Sequence, residues 1–224
     1  MLMSSSDRLE SPVYGVCWVN DTDLYVAMWK GITLMSVSDS GLISRGKTFH
    51  LQPSFDYCIS VAAFRDKVVV SGEKDNTICW CVVSIQDGRH DNLHKVCGGE
   101  RSWMTTKETM VYISSFAFYS RDDCGVYGFN LMNPSQPPYI YKSKELGVPK
   151  GITVDDIGYL FVCDWNNASI HYLTEKCELV AIYKEEIPWN PRAIFWDRGI
   201  LYLVANESDE SNVIIMYETP HQGK

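Results

Sequence analysis

The sequence contains no long apolar segment and no excess of positive charge. None of its apolar runs approaches the ~20 residues that a membrane-spanning helix requires. Lys and Arg number 20 against 28 Asp and Glu, which gives a formal net charge of −8. A protein that binds nucleic acid by neutralising phosphates shows the opposite balance. These absences argue against a membrane span and reduce the expectation of nucleic-acid binding.

Recognisable metal-binding and catalytic patterns are missing as well. The 8 cysteines and 5 histidines show no RING-type zinc spacing, and no histidine adjoins a Ser or Cys in a recognisable catalytic sequence. His90 and His94 have helical metal spacing, but the preceding Asp87-Gly88 marks a turn between strands. His171 alternates with apolar neighbours in a strand, so it is predicted to face solvent or a neighbouring sheet. We predict no cofactor and no catalytic residue.

The N-terminus and the cysteines give the evidence on the cellular compartment of the protein. Residues 1–12 lack the apolar core of a secretory signal. Several cysteines, among them Cys79 and Cys163, lie inside apolar runs, where reduced thiols pack as small apolar side chains. We therefore expect a cytoplasmic protein. An extracellular location is the alternative, because the cysteine number is even and sequons occur at Asn20, Asn167 and Asn206.

The sequence is rich in strand-forming residues, including 7 Trp, 13 Tyr and 8 Phe. The segment from Pro149 to Leu173 has the clearest strand pattern. Its two-residue alternation predicts strands over Gly151 to Val154, over Tyr159 to Cys163 and from Ser169 onward, with a polar tip at residues 164–167. Such short strands separated by Asp, Asn and Gly are typical of an antiparallel sheet.

The same pattern recurs along the chain. A second copy begins at Pro191, 42 residues after Pro149. The second strands of five units start at residues 24, 68, 111, 160 and 201, in steps of 44, 43, 49 and 41 residues. A period in the forties with four short strands per unit predicts an all-β fold, a β-propeller of four-stranded antiparallel blades with five repeats visible.

The ends of the chain leave the number of blades open. The third unit has a poor first strand at Trp103 to Thr106, and the fifth unit stops after its third strand, Asn212 to Tyr217. We divide the chain into an N-terminal segment (1–13), the propeller (14–217) and a tail (218–224). Either the N-terminal segment closes a five-bladed ring, or the chain is most of a six-bladed ring. Exposed blade edges would then favour self-association.

The units from Pro149 and Pro191 resemble the NHL repeat, whose pattern runs proline, glycine, apolar strand, Asp, Gly, apolar strand, Asp, Asn, Ile. The fourth unit matches almost throughout, whereas the fifth has Ala193 in place of the glycine and Asn206 in place of the second Asp. The first unit keeps Gly15 and the spacing. The whole is similar to the C-terminal propeller of tripartite-motif proteins. That resemblance implies a recognition platform for protein or RNA, without ligase chemistry of its own.

Antiparallel order brings two kinds of loop to one end of each sheet, namely the loop between the second and third strands and the loop to the next unit. The aromatic, basic and amide residues on these loops form the predicted partner-binding face: Trp29, Lys30, Tyr57, Trp103, Arg121, Lys150, Trp165, Trp189, Asn190 and Arg192. Exposed Trp, Tyr and Arg carry much of the binding energy at interfaces. A protein partner is our leading hypothesis because these residues converge on one face, although for any single aromatic residue packing between loops is the more common role.

Two further functions compete with protein recognition. Aromatic residues beside basic ones, as at Trp29-Lys30, suit single-stranded RNA, but acidic residues on the same loops count against it. Lactonase-like propellers hold a divalent cation over their central channel, for which Glu73, Asp164 and Asn206 are the weak candidates here. Glu73 and Asn206 are predicted to lie in solvated tips.

Overall fold

The structure is a computed structural model that describes residues 12–38, 40, 43–51, 54–117, 124–185, 187, 189–206 and 212–218. Over these residues the chain forms strands and turns without a helix, so none of it is a helix able to cross a membrane. The strands form five antiparallel sheets in which neighbours in sequence are neighbours in the sheet. This order is that of propeller blades, and the predicted fold class is confirmed.

Internal contacts divide the chain into two compact units, Met1–Ser102 and Trp103–Lys224. The first unit contains two four-stranded sheets. The strands of the first sheet are β1 (Val13–Trp18), β2 (Asp23–Met28), β3 (Gly31–Val37) and β4 (Ile43–His50). Those of the second sheet are β5 (Tyr57–Phe64), β6 (Lys67–Lys74), β7 (Thr77–Ser84) and β8 (His94–Gly98).

Alternate residues of these two sheets build one core between them. Tyr25 and Ala27 on β2 pack in the same buried cluster as Val68 and Val70 on β6. Because side chains alternate across a strand, only one face of each sheet enters this core. The opposite face of the first sheet has a smaller cluster of its own, centred on Val26.

The second unit is built in the same way from three sheets. The third sheet contains β9 (Arg101–Lys107), β10 (Met110–Phe116), β11 (Gly125–Asn130) and β12 (Tyr139–Tyr141). The fourth contains β13 (Pro149–Val154), β14 (Leu160–Asp164), β15 (Ser169–Leu173) and β16 (Leu179–Tyr183). The fifth contains β17 (Asn190–Asp197), β18 (Ile200–Asn206) and β19 (Asn212–Glu218), and it has three strands among the described residues.

Three details differ from the sequence predictions. Strand β9 is a full strand, because Ser102 and Met104 are buried on one of its faces. Strand β6 continues to Lys74, so Glu73 lies in a strand and not in a turn. Strand β18 likewise includes Asn206. Residues 1–11 and 219–224, where a ring-closing strand and a tail are predicted, lie outside the described residues.

All eight cysteines are free thiols, as the apolar context predicts. Burial raises the pKa of Cys58 and of Cys177 to about 12. Burial also raises the pKa of Cys17 to about 12, against a weaker opposing effect of the Tyr25 backbone. These thiols are therefore protonated packing groups at neutral pH.

Candidate functional site

In the first unit an exposed tryptophan stands at the turn between β2 and β3. The Trp29 side chain is 45% exposed, and its ring stacks on that of Tyr57 with centroids 5.3 Å apart. Tyr14 on β1 adds a tilted contact at 6.4 Å. We call Tyr14, Trp29 and Tyr57 the Trp29 cluster. Lys30, the next residue of the turn, is exposed beside it.

Backbone hydrogen bonds hold this cluster in place. The Trp29 carbonyl accepts from the Cys58 N–H at 3.3 Å, and the Lys30 carbonyl accepts from the Leu51 N–H at 3.0 Å. The Tyr57 hydroxyl donates to the Glu73 carboxylate, so the ring on which Trp29 stacks is itself anchored. An aromatic surface that is already ordered loses little conformational entropy when a partner binds.

The polar groups around the Trp29 cluster carry both signs of charge. Burial and then the hydrogen bond to Glu73 raise the pKa of Tyr57, which keeps its hydroxyl a donor. Asp56 accepts from the Asp75 N–H at 2.9 Å and pairs with Lys74 Nζ at 3.1 Å. The hydrogen bond from the Asp75 N–H, and to a smaller extent the contact with Lys74, hold the pKa of Asp56 below its ordinary value. The surface therefore offers mixed charge beside an aromatic patch.

The second unit has an aromatic and basic pair at the corresponding turn of the fourth sheet. Trp165, between β14 and β15, is half-buried, and Lys150 Nζ lies 4.0 Å from its ring centroid. The Trp165 N–H donates to the Val148 carbonyl at 3.0 Å. A cation–π contact of this kind is worth about 0.5–1 kcal/mol at an exposed site. Lys150 and Trp165 are called the Trp165 pair below.

A buried carboxylate supports the turn beneath the Trp165 pair. Asp164 is fully buried and accepts from the N–H groups of Gly147 at 2.8 Å and Val148 at 3.0 Å. The Asn167 amide donates to it at 2.7 Å. Burial by itself would raise the pKa of Asp164, but His171 and these donors together hold it below its ordinary value. Asp164 is thus a turn-forming group, as the NHL-like pattern suggests.

For His171 the sequence analysis left two alternatives, solvent or a neighbouring sheet, and the structure shows the second. Its side chain is fully buried and links the fourth sheet to Tyr141 on the third sheet. Nδ1 lies 2.8 Å from the Tyr141 hydroxyl, and Nε2 lies 3.4 Å from the Asp164 carboxylate. That second contact is close but lacks the geometry of a hydrogen bond. Alternation in sequence did not decide between solvent and the neighbouring sheet, and it did not identify the two polar partners of His171.

The remaining predicted face residues divide into packing and surface positions. Trp103 is half-buried on β9 and packs against the core of the third and fourth sheets. Trp189 and Asn190 are half-buried where β17 begins, and Arg192 is exposed on that strand. Arg121 lies outside the described residues. Trp103 is therefore a packing residue, whereas Arg192 stays available to solvent.

Two of the three candidate metal ligands, Glu73 and Asp164, are engaged in hydrogen bonds within the protein. Glu73 is 9% exposed and accepts from Tyr57, so its prediction as a solvated tip residue is wrong. Asn206 is half-buried in β18, which corrects the same prediction there. Asp164 is occupied by the donors of its turn. Over the described ranges, no three His, Cys, Asp or Glu side chains form a group suited to a metal ion.

The structure also shows a serine–histidine contact that sequence reasoning missed. The Ser54 hydroxyl lies 2.8 Å from His90 Nε2, and His90 Nδ1 lies 2.7 Å from the Asp91 carbonyl. The carbonyl requires a proton on Nδ1, which leaves Nε2 of a neutral ring to accept from Ser54. The two residues are 36 positions apart, so no local motif could reveal the pair. It joins the segments preceding β5 and β8.

Two of the three sequon asparagines serve as local structural groups. Asn20 Oδ1 accepts from the N–H groups of Thr22 at 2.9 Å and Asp23 at 2.7 Å. Asn167 Nδ2 donates to the Glu145 carbonyl as well as to Asp164, each at 2.7 Å. Turn formation thus explains these asparagines without glycosylation.

Comparison with known proteins identifies the architecture. No protein-family model matches the chain, and no curated protein matches it in sequence. Similar solved structures include the nidogen/laminin complex, with a TM-score of 0.67 and 14% identity over 87% of this chain and 72% of that chain.

A second is the Swd1 β-propeller domain of Myceliophteria thermophila, with a TM-score of 0.70 and 14% identity over 95% of this chain and 72% of that chain. A third is an inactive variant of virginiamycin B lyase from Staphylococcus aureus with quinupristin, with a TM-score of 0.63 and 16% identity over 89% of this chain and 64% of that chain. At such low identity the likeness concerns the fold alone, and that fold is a β-propeller.

Proposed function

We propose that this chain is a non-catalytic recognition module that binds a protein partner through the end of the first sheet that carries the Trp29 cluster. The observation that carries the proposal is Trp29, an exposed tryptophan stacked on an anchored tyrosine. A tryptophan in that position exposes apolar area to water without stabilising a core. Trp and Tyr are the residue types on which protein interfaces most depend.

Charge around these residues favours a protein over RNA. Lys30 and Lys74 are interspersed with Asp56 and Asp75, so the described residues around the Trp29 cluster form no continuous basic track. Single-stranded nucleic acid requires such a track beside its stacking residues. A protein partner matches a mosaic of both signs more readily.

The resemblance to the NHL repeat supports the same class of function. In tripartite-motif proteins the corresponding propeller recognises the target and leaves ligase chemistry to another domain. The nidogen/laminin structure is a complex of proteins, and one of its chains resembles this fold. A lyase shares the fold too, so the fold alone does not decide between binding and catalysis. We place the module in a reducing, cytoplasmic compartment, because all eight cysteines are free thiols.

The test is quantitative affinity capture with the wild-type chain, Trp29→Ala and Ile157→Ala. Ile157 is the control, because it is 68% exposed and lies in the turn between β13 and β14 rather than in the Trp29 cluster. We expect a partner protein that is retained by wild type and Ile157→Ala and is reduced at least about tenfold by Trp29→Ala. Equal capture by all three chains would contradict the proposal. So would low-salt binding of single-stranded RNA that Trp29→Ala abolishes.

A further inference from the structure

The fifth sheet has one face that is apolar and largely uncovered. Strand pairing places Phe195 beside Tyr202 and Met216, and places Val204 beside Ile214. Phe195 is 58% exposed, Ile214 is 72% exposed and Met216 is 67% exposed. We call this the outer face of the fifth sheet. A contiguous apolar patch of this kind on a protein surface marks an interaction site.

The fourth sheet shows what such a face binds. Its equivalent residues follow from the pairing, since Phe161 lies beside Tyr172 and Cys163 lies beside Ile170. The repeat aligns Tyr202 with Phe161, so Met216 and Ile214 take the positions of Tyr172 and Ile170. In the fourth sheet this face is covered by the fifth sheet, and Phe161, Cys163 and Ile170 are 6%, 0% and 2% exposed. The outer face of the fifth sheet therefore has apolar residues at the same positions as the face of the fourth sheet that a neighbouring sheet covers.

Within each unit, the covering sheet presents the alternate residues of its second strand. On the fifth sheet these are Leu201 and Leu203, which pack on Phe161. In the first unit Val68 and Val70 occupy the same positions and pack on Tyr25. The rule is the same in both units, so a sheet that covers the outer face of the fifth sheet should offer apolar residues at these positions.

The first sheet has such a face, and part of it is exposed. The positions of Leu201 and Leu203 are held there by Leu24 and Val26. On the adjoining edge strand, Trp18 pairs with Leu24 and Val16 pairs with Val26. Val16 is 51% exposed and Trp18 is 52% exposed, whereas Val26 is already buried in its own cluster. We call this the outer face of the first sheet.

We propose that the outer face of the fifth sheet binds the outer face of the first sheet of a second copy of this chain. The contact repeats the packing between consecutive sheets, with Phe195, Ile214 and Met216 meeting Val16 and Trp18 of the partner copy. Because two different faces meet, the association is head-to-tail and proceeds to a closed ring or a short chain of copies.

Complementary variants test this contact. Ile214→Glu alters only the face of the fifth sheet, and Trp18→Glu alters only that of the first. Both positions are more than half exposed, so neither charge enters a core. Sedimentation of the wild-type chain should show association that grows with concentration. Each variant alone should be monomeric, with association weakened at least about 100-fold. Their equimolar mixture should form a dimer and nothing larger, because one intact pair of faces remains.

Three results would overturn the proposal. One is a wild-type chain that stays monomeric at every concentration. Another is association of either variant alone, which would mean that one face binds itself. The third is an equimolar mixture without dimer. Circular dichroism melts of both variants serve as the folding control. Neither substitution touches Trp29 or Tyr57, so a failure here leaves the proposed recognition function unaffected.

Discussion

Gly151 and Ala193 lie so close that no side chain fits between them. A Cβ atom added to Gly151 would stand 2.7 Å from the Cα of Ala193, which is backbone and has no room to move aside. The same relationship occurs in the first unit, where a Cβ on Gly15 would lie 3.0 Å from the Cα of Ser60. The glycine of the repeat is therefore required where the first strands of consecutive sheets approach each other.

Replacement of Gly151 by alanine should destabilise the protein by about 1–3 kcal/mol, because strands β13 and β17 must separate. Urea denaturation measures the change as a lower midpoint. Gly46→Ala is the comparison, since this position is exposed and an added Cβ would lie 3.2 Å from the Leu34 carbonyl oxygen, so a smaller loss of stability is expected. An unchanged midpoint for Gly151→Ala would show that the two strands adjust freely.

Asp164→Asn should destabilise the protein by about 2–4 kcal/mol, because an amide cannot accept from all the donors of this turn. The folded pKa of Asp164 is lowered, so its contribution is present above the ordinary carboxyl pKa of about 4 and is lost as the pH falls through the lowered value. The difference in unfolding free energy between wild type and variant should therefore shrink on acidification. Asp156→Asn, at an exposed position, should have little effect at any pH. If the difference in unfolding free energy between wild type and Asp164→Asn does not change with pH, the charge of Asp164 does not stabilise the turn.

The buried thiols should resist alkylation while the protein is folded. With the pKa of Cys58 and Cys177 raised to about 12, their thiolate fraction at roughly pH 8.5 falls about a thousandfold. Mass spectrometry after iodoacetamide treatment should find both unmodified in the native chain and all eight cysteines modified in urea. Rapid native labelling of Cys58 would contradict this burial. The same raised values predict loss of stability as the pH rises from about 8.5 toward 12.

Calcium and EDTA should leave the melting temperature unchanged. The carboxylates of Glu73 and Asp164 already accept hydrogen bonds from Tyr57 and from the Gly147 and Val148 amides. A cation would have to displace those donors before it gained a ligand. Differential scanning fluorimetry with millimolar calcium, magnesium or EDTA checks the expectation. A rise in melting temperature that saturates with calcium would instead revive the lactonase-like alternative.

Much of the candidate site was accessible from the sequence because it depends on local pattern. The turn at Trp29 and Lys30 is predicted because the two-residue alternation of apolar residues stops there between two strands. The role of Asp164 in its turn is predicted from its place in the repeat. Tyr14 and the Ser54–His90 contact were not accessible, because each depends on chain segments that meet only in the folded sheets. Trp103 was predicted on a loop between units but lies half-buried on strand β9, because the sequence pattern does not show which residues a neighbouring sheet covers.

The sequence by itself determined the all-β architecture, the period of the repeat and nearly every strand, since two-residue alternation and turn residues act over short distances. It also determined which residues share a sheet face, because pairing register follows from those strands. Only the tertiary structure decided which faces are covered and which stay open. Phe161 and Tyr202 hold the same place in the repeat, yet one is buried by the next sheet and the other borders an open face. Burial of a sheet face depends on a neighbouring sheet, and no local pattern carries that information.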